Sequence, residues 1–269
     1  MSELVSGRAF GDAVVSVVLE GTTEARLDQL LGVDPAEARA AVPEADATSA
    51  VLLGFTVCHV RLGAASVLID TGVGSRRGPG ERYTAGVEAG LAEIRVSPAD
   101  VTHVVITHAH WDHHYGALDD GRPRYPNARY LIGRGDWDAA RSGTYVHDLG
   151  LAILEALDAA GVLELVDGDC VVAPGITMLD APGESPGHHV VLAEAGGEAF
   201  MHLADLYHHP VELARGWVQT GTDPALVQRS RERILGEALR RNAIVTAAHD
   251  LPPCWRRVVR TETGYGVTS

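Results

Sequence analysis

The chain has 269 residues, 46% hydrophobic and 22% charged, with 36 acidic against 22 basic residues for a formal charge of −14. This length and apolar content exclude intrinsic disorder and favour one large domain, residues 1–269, over several small ones, and no run approaches the roughly 20 apolar residues of a membrane-spanning helix. The acidic balance opposes nucleic acid as a general partner, and because every basic residue is arginine, Schiff-base chemistry and a P-loop lysine are excluded.

In chain order, the β-branched Ala13–Leu19 reads as a strand, and Val51–Cys58 and Ser66–Asp70 flank the turn Leu62-Gly63-Ala64-Ala65 as an antiparallel pair. A glycine- and arginine-rich loop, Val73–Arg82, follows Asp70-Thr71-Gly72. Thr84–Ile94 has helical spacing, Ser97-Pro98 reads as an N-cap with proline next, and Val101–Ile106 is a short buried strand. Further strands are expected at Ala128–Ile132, Leu163–Val166, Ile176–Leu179, His189–Leu192, Ala199–Leu203 and Ala243–Thr246, and a last edge strand at Trp255–Arg260. Helices are expected at Asp136–Arg141, at Leu149–Ala160, and from the cap Asp223-Pro224 through Arg241. Two runs of strands punctuated by helices predict an α+β architecture of two sheets packed face to face with helices outside.

The chemistry sits where Val101–Ile106 ends. Thr107-His108-Ala109-His110-Trp111-Asp112-His113 places three imidazoles and a carboxylate within six residues of a buried strand end. On an extended segment His108 and His110 point the same way. Such a group is satisfied by a divalent metal, and imidazole with carboxylate suits zinc. The other reading is a histidine-rich surface turn. Three more candidate donors also occupy strand exits: His188 after Pro186-Gly187, Asp205 after Phe200–Leu203, and His249 after Ala243–Thr246. The three cysteines, Cys58, Cys170 and Cys254, form neither a zinc pair nor a disulfide framework. The Met1–Phe10 stretch carries Glu3 and no basic-then-apolar pattern, so a cytoplasmic location is expected.

Taken in order, Asp70-Thr71-Gly72, His108-x-His110-x-Asp112-His113, Pro186-Gly187-His188, Asp205 and His249 resemble the metallo-β-lactamase-fold hydrolases. The resemblance implies a four-layer αββα sandwich with its metals at one edge of the two sheets. It implies that His108, His110 and His188 hold a first ion, that Asp112, His113 and His249 hold a second, and that Asp205 bridges them. Two Zn2+ per chain are expected from the all-imidazole first site, with Mn, Fe or Co as other divalent choices. A metal-bridging hydroxide would then attack an electrophilic carbonyl or phosphorus, and Asp112 would orient it and pass its proton to the leaving group. Asp70 has two readings, a turn cap or a hydrogen-bond acceptor fixing a ligand imidazole.

Asp205-Leu206-Tyr207-His208-His209-Pro210 resembles the branch holding acyl-homoserine lactonases and methyl-parathion-type hydrolases. Lactonases of that branch carry a tyrosine at the position of His208; here Tyr207 is one residue earlier, and His208 is the candidate donor to a developing oxyanion. The substrate implied is a small ester or lactone, with phosphotriester or phosphodiester cleavage and a non-catalytic metal site as alternatives, and a homodimer left open. Where many relatives have a histidine, Glu184 is expected as a solvated loop carboxylate; its other reading is a group at the cleft mouth that disfavours anionic substrates. Trp111 is expected to shield the metals, and Gly133–His147, with Trp137 and Tyr145, is a candidate pocket wall. Arg76, Arg77 and Arg82 are expected to be solvated, and His59, His103, His114, His147, His189, His202 and His209 to be structural or to point away from the cluster.

Overall fold

Alternation within single strands decides which surface meets which. In the computed structural model, which describes residues 4–75, 81–143, 145, 150–262 and 264–268, the strand His103–Ile106 turns Val105 into the space between two sheets and Val104 and Ile106 outward onto helices. The same division puts Leu131 inside with Tyr130 and Ile132 outside, and in the second sheet Val191 and Ala193 inside with Val190 and Leu192 outside. Each strand is therefore apolar on both faces, as a sheet covered twice requires.

The first sheet runs Val5–Phe10, Ala13–Arg26, Ala50–Leu62, Ala65–Ile69, His103–Ile106, Arg129–Gly133, Leu163–Val166, with Arg82–Tyr83 added beside Ala13–Arg26. Its last four strands are parallel. The second sheet runs Cys170–Ala173, Ile176–Asp180, His189–Ala195, Glu198–His202, Ile244–Thr246, Arg256–Thr261, Gly264–Thr268, with one parallel pair, Glu198–His202 beside Ile244–Thr246. Helices Val87–Glu93, Arg134–Ser142 and Leu151–Ala159 cover the outer face of the first sheet through Val87, Leu91, Trp137, Leu154 and Leu157. Helix Pro224–Arg240 covers the second through Ile234, Leu235 and Ala238. The result is the four-layer αββα sandwich of the metallo-β-lactamase fold, with mixed sheets.

Local signals account for most boundaries. Asp223 accepts from the amides of Ala225 and Leu226, both at 3.0 Å, and Pro224 follows at the first helical position. Asp100 takes the amide of Ser97 at 2.8 Å, closing the short turn Pro98–Asp100. One expectation is corrected. Trp255–Arg260 is not a last edge strand: Arg256–Thr261 is covered by Gly264–Thr268 in antiparallel register. Two glycines in that final strand, Gly264 and Gly266, weaken its β signal and hid it.

The carboxyl ends of the parallel strands deliver Asp70 and His108 to one edge, and the parallel pair of the second sheet delivers Asp205 and His249 to the same edge. Backbone bonds clamp the two sheets there. The amide of His189 donates to Thr107 O at 2.8 Å, that of Gly54 to His249 O at 3.0 Å, and that of Thr56 to Ala248 O at 3.1 Å.

Candidate metal centre

After Ile106 the chain leaves the sheet, and His110 becomes the N-cap of a single helical turn, Trp111–His114. His108 Nε2 and His110 Nδ1 converge to 3.0 Å, and the turn folds Asp112 and His113 back toward them. Asp205 is the hub. Its Oδ2 lies 3.6 Å from His108 Nε2, 3.3 Å from His113 Nε2, and 3.2 Å from both His249 Nε2 and His208 Nε2. Asp112 stands 3.6 Å from His113 Nε2 through one oxygen and 3.6 Å from His249 Nε2 through the other. His188 joins at one remove: its ring centroid is 5.1 Å from that of His108, and its Nε2 accepts the backbone amide of Asp205 at 3.2 Å. The structure thus brings His108, His110, Asp112, His113, Asp205 and His249 into donor groups, with His188 beside them rather than in one.

Outer partners set which ring nitrogen faces inward. Carbonyl oxygens only accept, so His188 Nδ1 donates to Ala181 O at 3.0 Å and His249 Nδ1 to Gly54 O at 2.8 Å, making each Nε2 the unprotonated nitrogen; in His188 that lone pair takes the Asp205 amide. Asp70 Oδ2 holds His113 Nδ1 at 2.8 Å and also accepts Thr107 Oγ1 at 2.9 Å, while its Oδ1 takes the Thr107 amide at 2.8 Å. Both readings of Asp70, cap and imidazole anchor, are therefore realised.

Two carboxylates change the picture drawn from sequence. Asp136, at the start of helix Arg134–Ser142, is fully buried and accepts the amide of Ala109 at 2.7 Å, the Ser185 hydroxyl at 2.9 Å and the amide of Gly187 at 2.6 Å. It ties the residue between His108 and His110 to the turn before His188, and sequence reasoning missed it. A first-turn aspartate in a helical pattern was the only signal. Glu184 is the correction: it is not a solvated loop carboxylate. Its Oε1 lies 3.5 Å from His110 Nδ1 and 3.9 Å from His208 Nε2, because the loop between Ile176–Asp180 and His189–Ala195 folds over the cluster rather than out into water.

The electrostatics suit a cation. Burial pushes the Asp205 carboxyl up, but the imidazoles of His249, His113, His208 and His108 outweigh it and hold the group well below the usual carboxylate range. Burial, aided by the neighbouring His113 and His110, keeps His108 neutral, and burial brings His188 down to about 3. Burial pushes the Glu184 carboxyl up. Neutral His108 and His188 and ionised Asp205 are in the states a divalent ion needs, whereas His113, which burial lowers but Asp205, Asp112 and Asp70 raise well above its ordinary value, and Glu184 would each give up a proton to an ion. His113 Nε2 and Asp205 Oδ1 are buried without a hydrogen-bond partner among the described residues, a costly arrangement that an ion would relieve. Three donor groups, His108–His110–Glu184–Asp205, Asp112–His113–His249 and Asp205–His208–His249, each keep their ligand atoms within 4.8 Å of one another. Zinc bonds of about 2.1 Å in tetrahedral array place neighbouring donors about 3.4 Å apart, so the residues present fit the metal.

A pocket of about 460 Å3 opens onto this cluster. Its lining includes His110, Asp112, Asp205, His208 and His249, the apolar Ala25, Leu30, Leu53 and Trp111, and the polar Thr23, Tyr115 and Gln219. Trp111 is half-buried, edge-on to Phe55 at 5.3 Å, and lines the pocket. His208 lines the pocket and stacks on His249 at 4.9 Å. Its backbone amide donates to Glu212 Oε1 at 2.7 Å, and Arg231 anchors the other Glu212 oxygen at 2.7 Å. Tyr207 turns away and donates to Asp250 at 3.2 Å. The remaining histidines behave as expected: His59 pairs with Ser66, His103 with Thr102, His114 with His110 O, His202 with Thr246, His189 with two carbonyls, and His209 faces Glu44. Arg82 is exposed in a strand away from the pocket, whereas Arg76, Arg77 and His147 lie outside the described residues.

A four-layer sandwich with an imidazole–carboxylate cluster at one sheet edge defines a class of metal-binding α+β protein. The sequence pattern of the metallo-beta-lactamase superfamily matches residues 54–243, and the chain belongs to that superfamily. The N-acyl homoserine lactonase of Bacillus cereus is 26% identical to it over 163 residues, 60% of either chain. Metallo-beta-lactamase domain-containing protein 1 of Xenopus laevis is 30% identical over 174 residues, 64% of this chain and 63% of that one. The chain thus spans about 60% of the length of the curated lactonase it matches. Among solved structures, AidC, a dizinc quorum-quenching lactonase in complex with a product, shares the fold with a TM-score of 0.85 at 21% identity, over 98% of this chain and 97% of that one.

Proposed function

We propose that this protein is a metal-dependent hydrolase, acting as a single domain, that opens a small lactone or ester with two zinc ions. His108, His110 and His188 would hold one ion, Asp112, His113 and His249 the other, with Asp205 between them. The observation that carries this reading is the pocket, whose lining joins the donors His110, Asp112, Asp205 and His249 to the apolar Ala25, Leu30, Leu53 and Trp111, with Thr23, Tyr115 and Gln219 among them. An acyl chain suits the apolar residues while its lactone or ester meets the donors, and the lactonase names of the relatives agree with that reading.

Bound divalent ions supply a nucleophile at neutral pH and polarise the carbonyl. The chain's own residues do the rest. Water oxygen bonds to the carbonyl carbon, the ring or ester C–O bond breaks, and Asp112 carries the water proton to the departing alkoxide. His208 donates from Nε2 to the oxygen on which charge develops, its backbone held by the hydrogen bond from its amide to Glu212 and its ring stacked on His249.

The test is turnover by zinc-loaded protein on N-acyl homoserine lactones, p-nitrophenyl esters, bis-p-nitrophenyl phosphate and a phosphotriester. Lactone or ester cleavage is expected. Phosphoester cleavage alone would replace the substrate class, and no turnover with two zinc ions bound would make the site non-catalytic.

A further inference from the structure

Nothing in the reading above employs Glu184, which is 4% exposed and whose Oε1 has no hydrogen-bond partner among the described residues. That oxygen points into the cluster, 3.5 Å from His110 Nδ1. With His108, His110 and Asp205 it completes a set of ligand atoms lying within 4.8 Å of one another. The separations within the set, 3.0 Å for His108 to His110, 3.5 Å for His110 to Glu184 and 3.6 Å for His108 to Asp205, bracket the roughly 3.4 Å between neighbouring donors on one small divalent ion.

The loop that carries Glu184 is locked. Asp136 holds the residues after it, through the Ser185 hydroxyl and the Gly187 amide, and the Tyr145 hydroxyl donates to the carbonyl of Glu184 itself. The helix start packs against the same loop with no room to spare: a Cβ at Gly133 would sit 2.2 Å from Gly187 O and one at Gly135 2.5 Å from Pro186 O. The carboxylate is therefore aimed by the fold, as a ligand must be.

We propose that Glu184 is a further ligand of the first metal site, adding a carboxylate oxygen to His108, His110, His188 and Asp205. This rests on the metal-binding reading and deepens it. The first site is then no longer imidazole with a single bridging carboxylate, and its preference moves toward oxygen-seeking ions such as Mn2+ relative to Zn2+.

The test compares wild type with Glu184→Gln and Glu184→His after stripping with a chelator and reloading. In Glu184→Gln the affinity for the first ion should fall by at least about 10–100-fold in chelator competition, and the visible bands of the first Co2+ equivalent should change. The Mn2+ to Zn2+ affinity ratio should drop in both variants. Wild type labelled with 13C at the glutamate carboxyls should show a label-sensitive carboxylate band in the zinc-induced infrared difference spectrum, a readout that survives if the variants fail to fold. Glu184→Gln with wild-type affinities and superimposable Co2+ spectra, or a difference spectrum without a label-sensitive band, overturns the proposal. Wild type that takes up no ion would instead overturn the metal-binding reading itself.

Discussion

Asp136→Ala removes one carboxylate and leaves the amides of Ala109 and Gly187 buried with no acceptor, while the Ser185 hydroxyl can rotate to another partner. An orphaned buried donor costs about 1–3 kcal/mol, so two amides give about 4 kcal/mol. In a chain of this size each kcal/mol moves Tm by about 2–4 °C, which predicts a fall of about 8–16 °C. Asp136→Asn keeps one accepting oxygen but turns an amide N–H2 toward a donor, and should cost roughly half as much. The loss reaches the site because Ala109 separates His108 from His110 and Gly187 precedes His188. Zinc affinity should therefore drop by about 10–100-fold, the usual cost of losing a partner that orients ligands. Thermal melts of the stripped protein and chelator competition of the loaded protein measure the two effects separately. An Asp136→Ala protein that melts within about 2 °C of wild type and holds both ions as tightly would refute the role given to this carboxylate.

Purified, zinc-loaded protein should contain close to two ions per chain by elemental analysis, with His188→Ala emptying the first site and His249→Ala the second; a single ion in wild type would end the dinuclear assignment. Asp112→Asn should keep the fold and lose about 10²–10⁴-fold in kcat on the best lactone or ester, the usual share of a general acid–base group. His208→Ala should lose less, up to about 10²–10³-fold, and keep its zinc; wild-type rates on every substrate would return His208 to a packing role. His59 is held at about 4, below its ordinary 6.5, by burial and then by Arg61, so the folded state favours the neutral ring. The unfolded chain binds the extra proton between those values, so this stabilisation is whole above pH 6.5 and fades as pH falls to 4, by about 3 kcal/mol in all. Urea unfolding of His59→Gln across that range should show a flatter pH slope than wild type, and parallel slopes would exclude His59 as the cause.

What the sequence reveals is what acts locally. Val104, Val105 and Ile106 announce a strand buried on both faces, and the histidines that follow announce chemistry, because a strand end leaves neighbouring side chains no separate routes to water. Asp205 and His249 are legible for the same reason, each following an apolar run. Asp136 is not legible, since its meaning lies in amides 27 and 51 positions away and its local pattern is that of any helix start. Glu184 misleads more actively: a carboxylate among glycines and prolines reads as solvated, and only the packing of Gly133 and Gly135 against the loop's backbone turns it inward. The short helices Leu27–Leu31 and Pro35–Ala41 escape because five to seven residues complete too few turns for a period to emerge.

The site is also where the fold concentrates its costs. Asp70 and Ala204, two of the six non-glycine residues with positive φ among the described residues, flank the cluster, at +63° and +48°. A left-handed residue costs about 1–2 kcal/mol, so the pair forfeits about 2–4 kcal/mol that a relaxed turn would keep. The return is geometric: one turn sends the Asp70 carboxylate back to His113, and the other brings Asp205 within 3.2–3.6 Å of four imidazoles. A ligand present at 1,000 times its Kd stabilises the state that binds it by about 4.1 kcal/mol, enough to offset both turns. On the proposed function the strained turns and the donor geometry are one design, in which a bound ion would supply stability that the polypeptide alone gives up at this edge of the sandwich.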